Sequence, residues 1–291
     1  MSVAIKNRHD FVFFFDVKDG NPNGDPDQVN LPRADAEDQK GLVTDVCIKR
    51  KVRNFVMLEK SKLVEDKIVP VDGFDIFIRQ GQVLNSVIDK ATGENIRDRQ
   101  VNLAEKYFDI RTFGAVLATG DKGAGTIRGP VQFTFSRSED RIFQAEHSIT
   151  RCAVTTEEDA KKQESREYAS TFGRKTTVPY ALYRMHGFVS AVDAAKTKFS
   201  EEDLTLLWKS LINAFEHDRA AARGEMNPRK LVIFKHSSHL GNELSGRLFE
   251  RVTVKKNSDL PRGKDDYTIE VNKEQMPSGV EVKVWPEEVV Y

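Results

Sequence analysis

The run FVFFFDV, Phe11 to Val17, is followed at once by DGNPNGDPD, Asp19 to Asp27. An apolar, β-rich run without alternation predicts a strand buried on both faces, in the centre of a sheet. The segment behind it must end that strand. Proline has no amide to donate and glycine permits positive φ. The Asn-Pro and Asn-Gly pairs therefore predict a rigid turn through Asn21, Pro22, Asn23, Gly24 and Asp25. The turn aims the chain sharply away from the sheet and towards the next element.

That element is TDVCIKRKVRNFVML, Thr44 to Leu58. Thr44 or Asp45 caps a helix start, and Val46, Ile48, Val52, Phe55 and Val56 fill one side at helical spacing. Lys49 and Arg53 stand four apart on the other side, with Arg50 and Lys51 beside them. From 61 to 129 the pattern loosens into an insertion. It holds the loop KATGENIRDR, a helix and short strand in NLAEKYFDIRTFGAVLA, and the glycine-rich GDKGAGTIRGP. VQFTFS then alternates as a strand, with Val131, Phe133 and Phe135 on one face.

A second insertion spans 137–178, with the highly charged TTEEDAKKQESREYAS as a solvated helix or disordered arm. FGRKTTVP leads back into YALYRMHGFVSA, a long strand. The clearest helix begins at Ser200, which caps it with Asp203 three residues on. Leu204, Leu207, Trp208, Leu211 and Phe215 give it a core-facing stripe. RKLVIFKHS, DYTIEVN and VEVKVW supply further strands. With both insertions set aside, the order is β-α-β-β-α-β, an α+β, ferredoxin-like pattern. RNA recognition motifs share it, but their aromatic signature is absent here, and a fold alone assigns no function.

Charge narrows the function classes. The 291 residues carry 45 Lys+Arg and 45 Asp+Glu, so the formal net charge is zero. A polyanion site must then come from local clustering rather than bulk basicity. The two cysteines, Cys47 and Cys152, form no zinc-binding spacing and no disulfide framework. No apolar run reaches the length of a signal peptide core or a membrane span, which predicts a soluble cytoplasmic protein.

Three stretches, taken in order, point to one family. They are GNPNGDP behind the first strand, VTDVCIKRKVRN opening the first helix, and the pair TIRGPVQF and FGRKTTVPYALYRMHGFVSA flanking the second insertion. Together they resemble the backbone subunit family of type I CRISPR surveillance (Cascade) complexes, in particular its subtype I-C branch. The resemblance implies a single hand-shaped domain. Its RRM-like palm covers about 8–60, 130–136 and 179–291, with a finger-like insertion at about 61–129 and a thumb-like one at about 137–178. It implies many copies side by side on one guide RNA, other Cascade subunits as partners, target DNA met through guide pairing, no cofactor and no catalysis. Related type III backbone proteins cleave RNA with an acidic residue, so a metal-dependent endoribonuclease is the alternative.

Each site has a plain reading and a functional one. A run of cations on a helix is ordinarily a solvated face, whereas exposed Lys and Arg also bind phosphates regardless of base. With the resemblance, Lys49, Arg50 and Arg53 are expected to contact the guide backbone. Arg111 and Arg128 are further candidates, in RTFG and in the glycine-rich loop, which lacks the ending of a P-loop. Arg174 and Lys175 mark the thumb's return, with Phe172 as a wedge between bases and Ile149 and Val154 as competitors. Asp19, Asp25 and Asp27 could ligate Mg²⁺, but the intervening prolines splay them, and turn chemistry is the reading preferred. HSSH, with His236 and His239, lacks the Glu of a zinc protease motif.

Overall fold

The structure, a computed structural model, describes residues 3–119, 123–161 and 171–291; the side chains of 159, 171 and 172 lie outside it. Among the described residues the main sheet is antiparallel. Its strands are β1 (His9–Gly20), β2 (Lys40–Val43), β3 (Val131–Phe133), β4 (Ser136–Arg141), β5 (Ala145–Arg151), β6 (Thr171–Val189), β7 (Glu225–His236) and β10 (Val280–Trp285); β8 (Val252–Lys256) and β9 (Tyr267–Val271) lie outside it. The order across the sheet is β10-β7-β1-β6-β4-β2. β3 and β5 pair with other parts of β6, and β8 and β9 form a separate hairpin.

β1 is central, as its composition dictates. It pairs antiparallel with β6 on one side and β7 on the other. Phe11, Phe13, Phe15 and Val17 enter the core on one face, while Val12 and Phe14 enter a second core on the opposite face. Each fully buried Phe contributes on the order of 2–3 kcal/mol. Phe11 sits directly across from Gly187, where a Cβ would fall 2.0 Å from its ring. Glycine there lets the ring lie over the neighbouring strand.

The first core lies beneath two helices, α1 (Asp45–Glu59) and α5 (Glu201–Ile212). Thr44 caps α1 by accepting from the Cys47 amide. Ser200 and Asp203 close a reciprocal capping box on α5. Val46, read from its spacing as core-facing, is 62% exposed, and Phe135 lies beyond the end of β3, 52% exposed. Val46 lies off the stripe of Ile48, Val52 and Val56 that the helix buries, and Phe135 lies outside the strand whose alternation would have buried it.

The second core has a consequence for the sheet. The β8–β9 hairpin and α6 (Ser245–Phe249) bring Leu248, Phe249, Val252 and Tyr267 onto Val12, Phe14, Leu182, Val232 and Phe234. This face of the sheet is therefore covered by the C-terminal part of the chain.

The first insertion folds around its own cluster. It contains α2 (Ile96–Lys106) and α3 (Phe108–Phe113), and packs Phe77, Ile88, Leu103, Tyr107, Ile110 and Leu117 together. α4 (Ala191–Thr197) lies beside it. The second insertion contains the β5–β6 hairpin. β6 runs without a break from the arm into the centre of the sheet, so FGRKTTVP and YALYRMHGFV are one strand and not a return loop followed by a strand. Pro179 is tolerated in it because β1 skips a pairing at Asp19, which has φ 51°. The charged stretch 155–170 is described only as far as a short helix, Glu157–Lys161.

No helix among the described residues is long and apolar enough to cross a membrane. Two histidines make the fold acid-sensitive. Burial lowers His9 and His186 from about 6.5 to about 4. The unfolded chain thus binds more protons between those values, so stability is fully present above about 6.5 and falls as pH drops towards 4. His9, 4% exposed, accounts for up to about 3 kcal/mol of that loss. Thermal unfolding at pH 7 and pH 5 should show a lower Tm in acid, with a shallower dependence in a His9→Gln variant.

Candidate nucleic-acid interface

The turn behind β1 is a clamp on the helix that follows. Asn23 Oδ1 accepts from the Thr44 amide at 3.0 Å and from Thr44 Oγ1 at 2.9 Å. The Pro22 carbonyl accepts from Cys47 Sγ at 3.7 Å. Both contacts fall on the first turn of α1, where amides lack helical partners. Asn21 closes the loop by donating Nδ2 to the Asn30 carbonyl at 2.7 Å. Gly24 was expected to supply a left-handed residue, but that role falls to Val29 at φ 50° and Asn30 at φ 60°. What Gly24 supplies is space, since a Cβ would meet Asn30 Oδ1 at 1.9 Å. Positive φ is unusual for a β-branched residue and costs free energy. Here it leaves Val29 93% exposed at the rim of the loop.

Of the loop's acids, Asp25 is engaged locally. Asp25 Oδ1 accepts from the Asp27 amide at 3.2 Å, and Asp25 pairs with Arg33 at 3.4 Å. Among the described residues no three His, Cys, Asp or Glu side chains are placed to hold a metal ion.

The cations of α1 divide into three kinds. Lys51 is buried on Asp218. Arg53 donates to the buried Asp109 at 2.7 Å, and Asp109 also accepts from the Phe77 and Ile78 amides. Lys49 pairs with Asp45 at 2.8 Å, and it and Arg53 both lie over the Phe113 ring. Arg50 is exposed, held by the neutral Asn54 and Gln80 at 3.1 and 3.2 Å. The reading of one open basic face is therefore corrected: Arg53 and Lys49 are matched internally, and Arg50 is exposed with no carboxylate partner among the described residues.

Arg111 is corrected further. It is 6% exposed and gives Nε and Nη2 to Asp203 at 3.0 and 2.7 Å. Its Nη1 donates to the carbonyls of Gly73, Ala104 and Glu105. It is a buried pin between the first insertion and α5, with no surface to offer a strand. Arg128 is its opposite. It is 77% exposed, 3.4 Å from Asp193, and lines a groove of about 300 Å³ with Arg97 and Lys196.

Arg174 and Lys175 stand where the arm meets the turn. β5 and β6 pair as a hairpin with Ser148 opposite Arg174 and His147 opposite Lys175. Arg174 is 80% exposed, with Glu146 at 3.1 Å, and Lys175 Nζ donates to the Ala221 carbonyl at 2.6 Å. Both line a groove of about 660 Å³ whose other walls include Asn21, Val29, Leu31, Ile149, Ala222 and the carboxylate of Glu146. Two cations, one carboxylate paired with Arg174, two exposed aliphatic side chains and amide groups thus face one channel. That chemistry suits a single strand, with cations for phosphates and apolar surface for sugar and base. Phe172 pairs through its main chain with Thr150, but its side chain lies outside the described residues, as do Gly120 and its two successors. Val154 is half-buried and Ile149 is 50% exposed.

Sequence reasoning passed over Val29, Leu31, Ala221 and Ala222. Gln-Val-Asn carries no turn signal, and Ala221 comes from a segment some two hundred residues downstream. Nothing local marks either as a wall of this groove.

The family profile described as "CRISPR-associated protein Cas7" matches residues 7–272. A CRISPR-associated protein Cas7 of Haloferax volcanii is 26% identical over 238 residues, an alignment covering 71% of this chain and 65% of that protein. The chain thus spans just under two thirds of that relative's length. Among solved structures, a chain of a "CRISPR RNA-guided surveillance complex, pre-nicking" superposes with a TM-score of 0.49 at 12% identity, covering 78% of both chains. A chain of another CRISPR RNA-guided surveillance complex gives 0.45 at 11% identity, covering 78% of this chain and 68% of that one.

Proposed function

We propose a function from one premise: this chain belongs to the family of CRISPR-associated Cas7 proteins. It is a repeating backbone subunit of an RNA-guided surveillance complex. It holds the guide RNA by sugar and phosphate, independent of sequence, and presents kinked segments for pairing with target DNA. Its partners are the guide, further copies of itself and other Cascade subunits, in the cytoplasm. GNPNGDP and TDVCIKRK support a place in the subtype I-C branch.

The observation that carries this reading is the groove of about 660 Å³ between the turn and the arm, with Arg174 and Lys175 on its wall. Arg50 and Arg128 extend the set of exposed cations, and Lys49 lies beside Arg50. The strand order β7-β1-β6-β4, with α1 and α5 on one face, supports an RRM-like palm. The self-contained core of the first insertion supports a finger, and the β5–β6 hairpin supports a thumb. Ordering a single strand in advance lowers the entropic cost of pairing it later.

The test is purification from the native host without added nuclease. The expected product absorbs as a nucleoprotein and releases guide RNA of uniform length. Protein free of RNA overturns the reading. Labelled RNA incubated with the same protein, with Mg²⁺ and with chelator, should stay intact in both; cutting that needs Mg²⁺ would establish the endoribonuclease alternative instead.

A further inference from the structure

The first insertion opens with a hairpin whose apolar side chains none of the described residues covers. Its strands are Ser61–Val64 and Lys67–Pro70, joined by Glu65 and Asp66. Leu63 is 72% exposed and Ile68, directly across from it, 66%. A lone two-stranded hairpin with bare apolar residues is marginal in water. Its turn places both central residues at positive φ, 48° and 61°. Asn-Gly is the sequence that suits such a turn, so two acids there are kept at a cost to the main chain. Neither has an ion-pair partner among the described residues, although Lys62 and Lys67 stand exposed on the strands behind them, so the acidity is confined to the tip.

A second exposed apolar surface, with two arginines on it, lies at the other end of the sheet. A pocket of about 360 Å³ is walled by Phe143, Leu260, Pro179 and Pro261. Phe143 is 67% exposed and Leu260 66%. Its charged lining is mixed: Asp140 is taken up by Lys256 and the Tyr267 hydroxyl, Asp259 stands beside it, and Arg141 and Arg262 have no carboxylate partner among the described residues.

The two surfaces cannot meet within one copy. Lys60, just before the hairpin, bonds Glu202, and neighbouring Ser200 bridges Ala4, ahead of the His9 end of β1. The pocket contains Pro179, whose neighbour Val178 pairs with Gly20 at the far end of β1. Twelve strand residues span about 40 Å. The pocket is also on the sheet face that carries the β8–β9 hairpin.

We propose that the hairpin 61–70 of one copy docks head to tail into this pocket of the next. Leu63 and Ile68 meet Phe143 and Leu260, and Glu65 and Asp66 meet Arg141 and Arg262. Surfaces at opposite ends make a heterologous contact that repeats without closing, which builds a filament and not a ring. The zero net charge places no long-range repulsion against it. This rests on the reading of a repeating subunit and names the faces by which the subunits meet.

The test uses the full chain on a long single-stranded RNA of mixed sequence, with particle mass as readout and Tm as a check of folding. Wild type should form multi-copy particles. A Glu65→Arg, Asp66→Arg variant and an Arg141→Glu, Arg262→Glu variant should each need about tenfold more protein to do so. The four substitutions together should restore assembly. Wild type that stays single-copy on RNA defeats the reading of a repeating subunit itself. Wild type that assembles while the hairpin variant assembles equally well overturns this inference alone and assigns the hairpin to another partner. Failure of the four-fold variant to recover overturns the pairing of these two faces.

Discussion

Arg111→Ala should lower Tm by roughly 10 °C, the largest stability loss expected of any single cation in this chain. The reason is what it leaves behind. Asp203 is 2% exposed, and its charge is compensated by the Arg111 guanidinium. Removing one partner of a buried pair costs about 3–5 kcal/mol, because the other charge stays buried and unmatched. In a domain of this size each kcal/mol moves Tm by about 2–4 °C. The variant also frees carbonyls at the C-terminal end of α2, where a cation is favourable. A double-mutant cycle separates the two effects: in an Asp203→Asn background, Arg111→Ala should cost much less. Equal losses in both backgrounds, measured by thermal unfolding, would show that the ion pair is not the source.

The largest functional loss is expected from Arg174→Glu with Lys175→Glu. Arg174 is 80% exposed and Lys175 is half-buried at the groove, so Tm should change little. Affinity for single-stranded RNA should fall about a hundredfold near physiological salt. The salt dependence should flatten as well. Each phosphate contact on a single strand adds about 0.7 to the slope of log K against log salt, so two lost contacts remove about 1.4. Arg53→Gln is the contrast: its partner Asp109 is buried, so the loss should appear in stability with the salt slope unchanged. An Arg174→Glu, Lys175→Glu protein that retains wild-type RNA affinity and salt slope would remove the groove from the binding surface.

These two variants also mark where the sequence is informative. Local signals are strong where one segment satisfies itself. The β1 run, the Thr44 cap, the Ser200–Asp203 box and the stripe from Leu204 to Leu211 each follow from spacing within a dozen residues, and the structure has them all. Charge pairing is different. Lys49 finds Asp45 one turn away, which spacing can suggest. Arg53 finds Asp109, 56 residues on, and Arg111 finds Asp203, 92 residues on. A cation's partner depends on which loop the fold lays beside it, and no helical periodicity encodes that. The same limit hid the groove. Arg174 and Lys175 were legible as cations in an arm, but Val29 and Ala222 become walls only once three distant segments converge.

The covered face of the sheet carries one more consequence. Proteins that read RNA letters from a four-stranded platform spread the bases over an open surface and stack them on its aromatic rings. In this chain Phe14, Leu182 and Phe234 are shut beneath Leu248 and Tyr267. Among the described residues this face therefore offers a strand no open aromatic platform, which leaves grooves and edges, with their charge and aliphatic bulk, for the proposed contact. Indifference to the message is what this covered face leads one to expect, and it is the property that the proposed holder of ever-changing spacers would need.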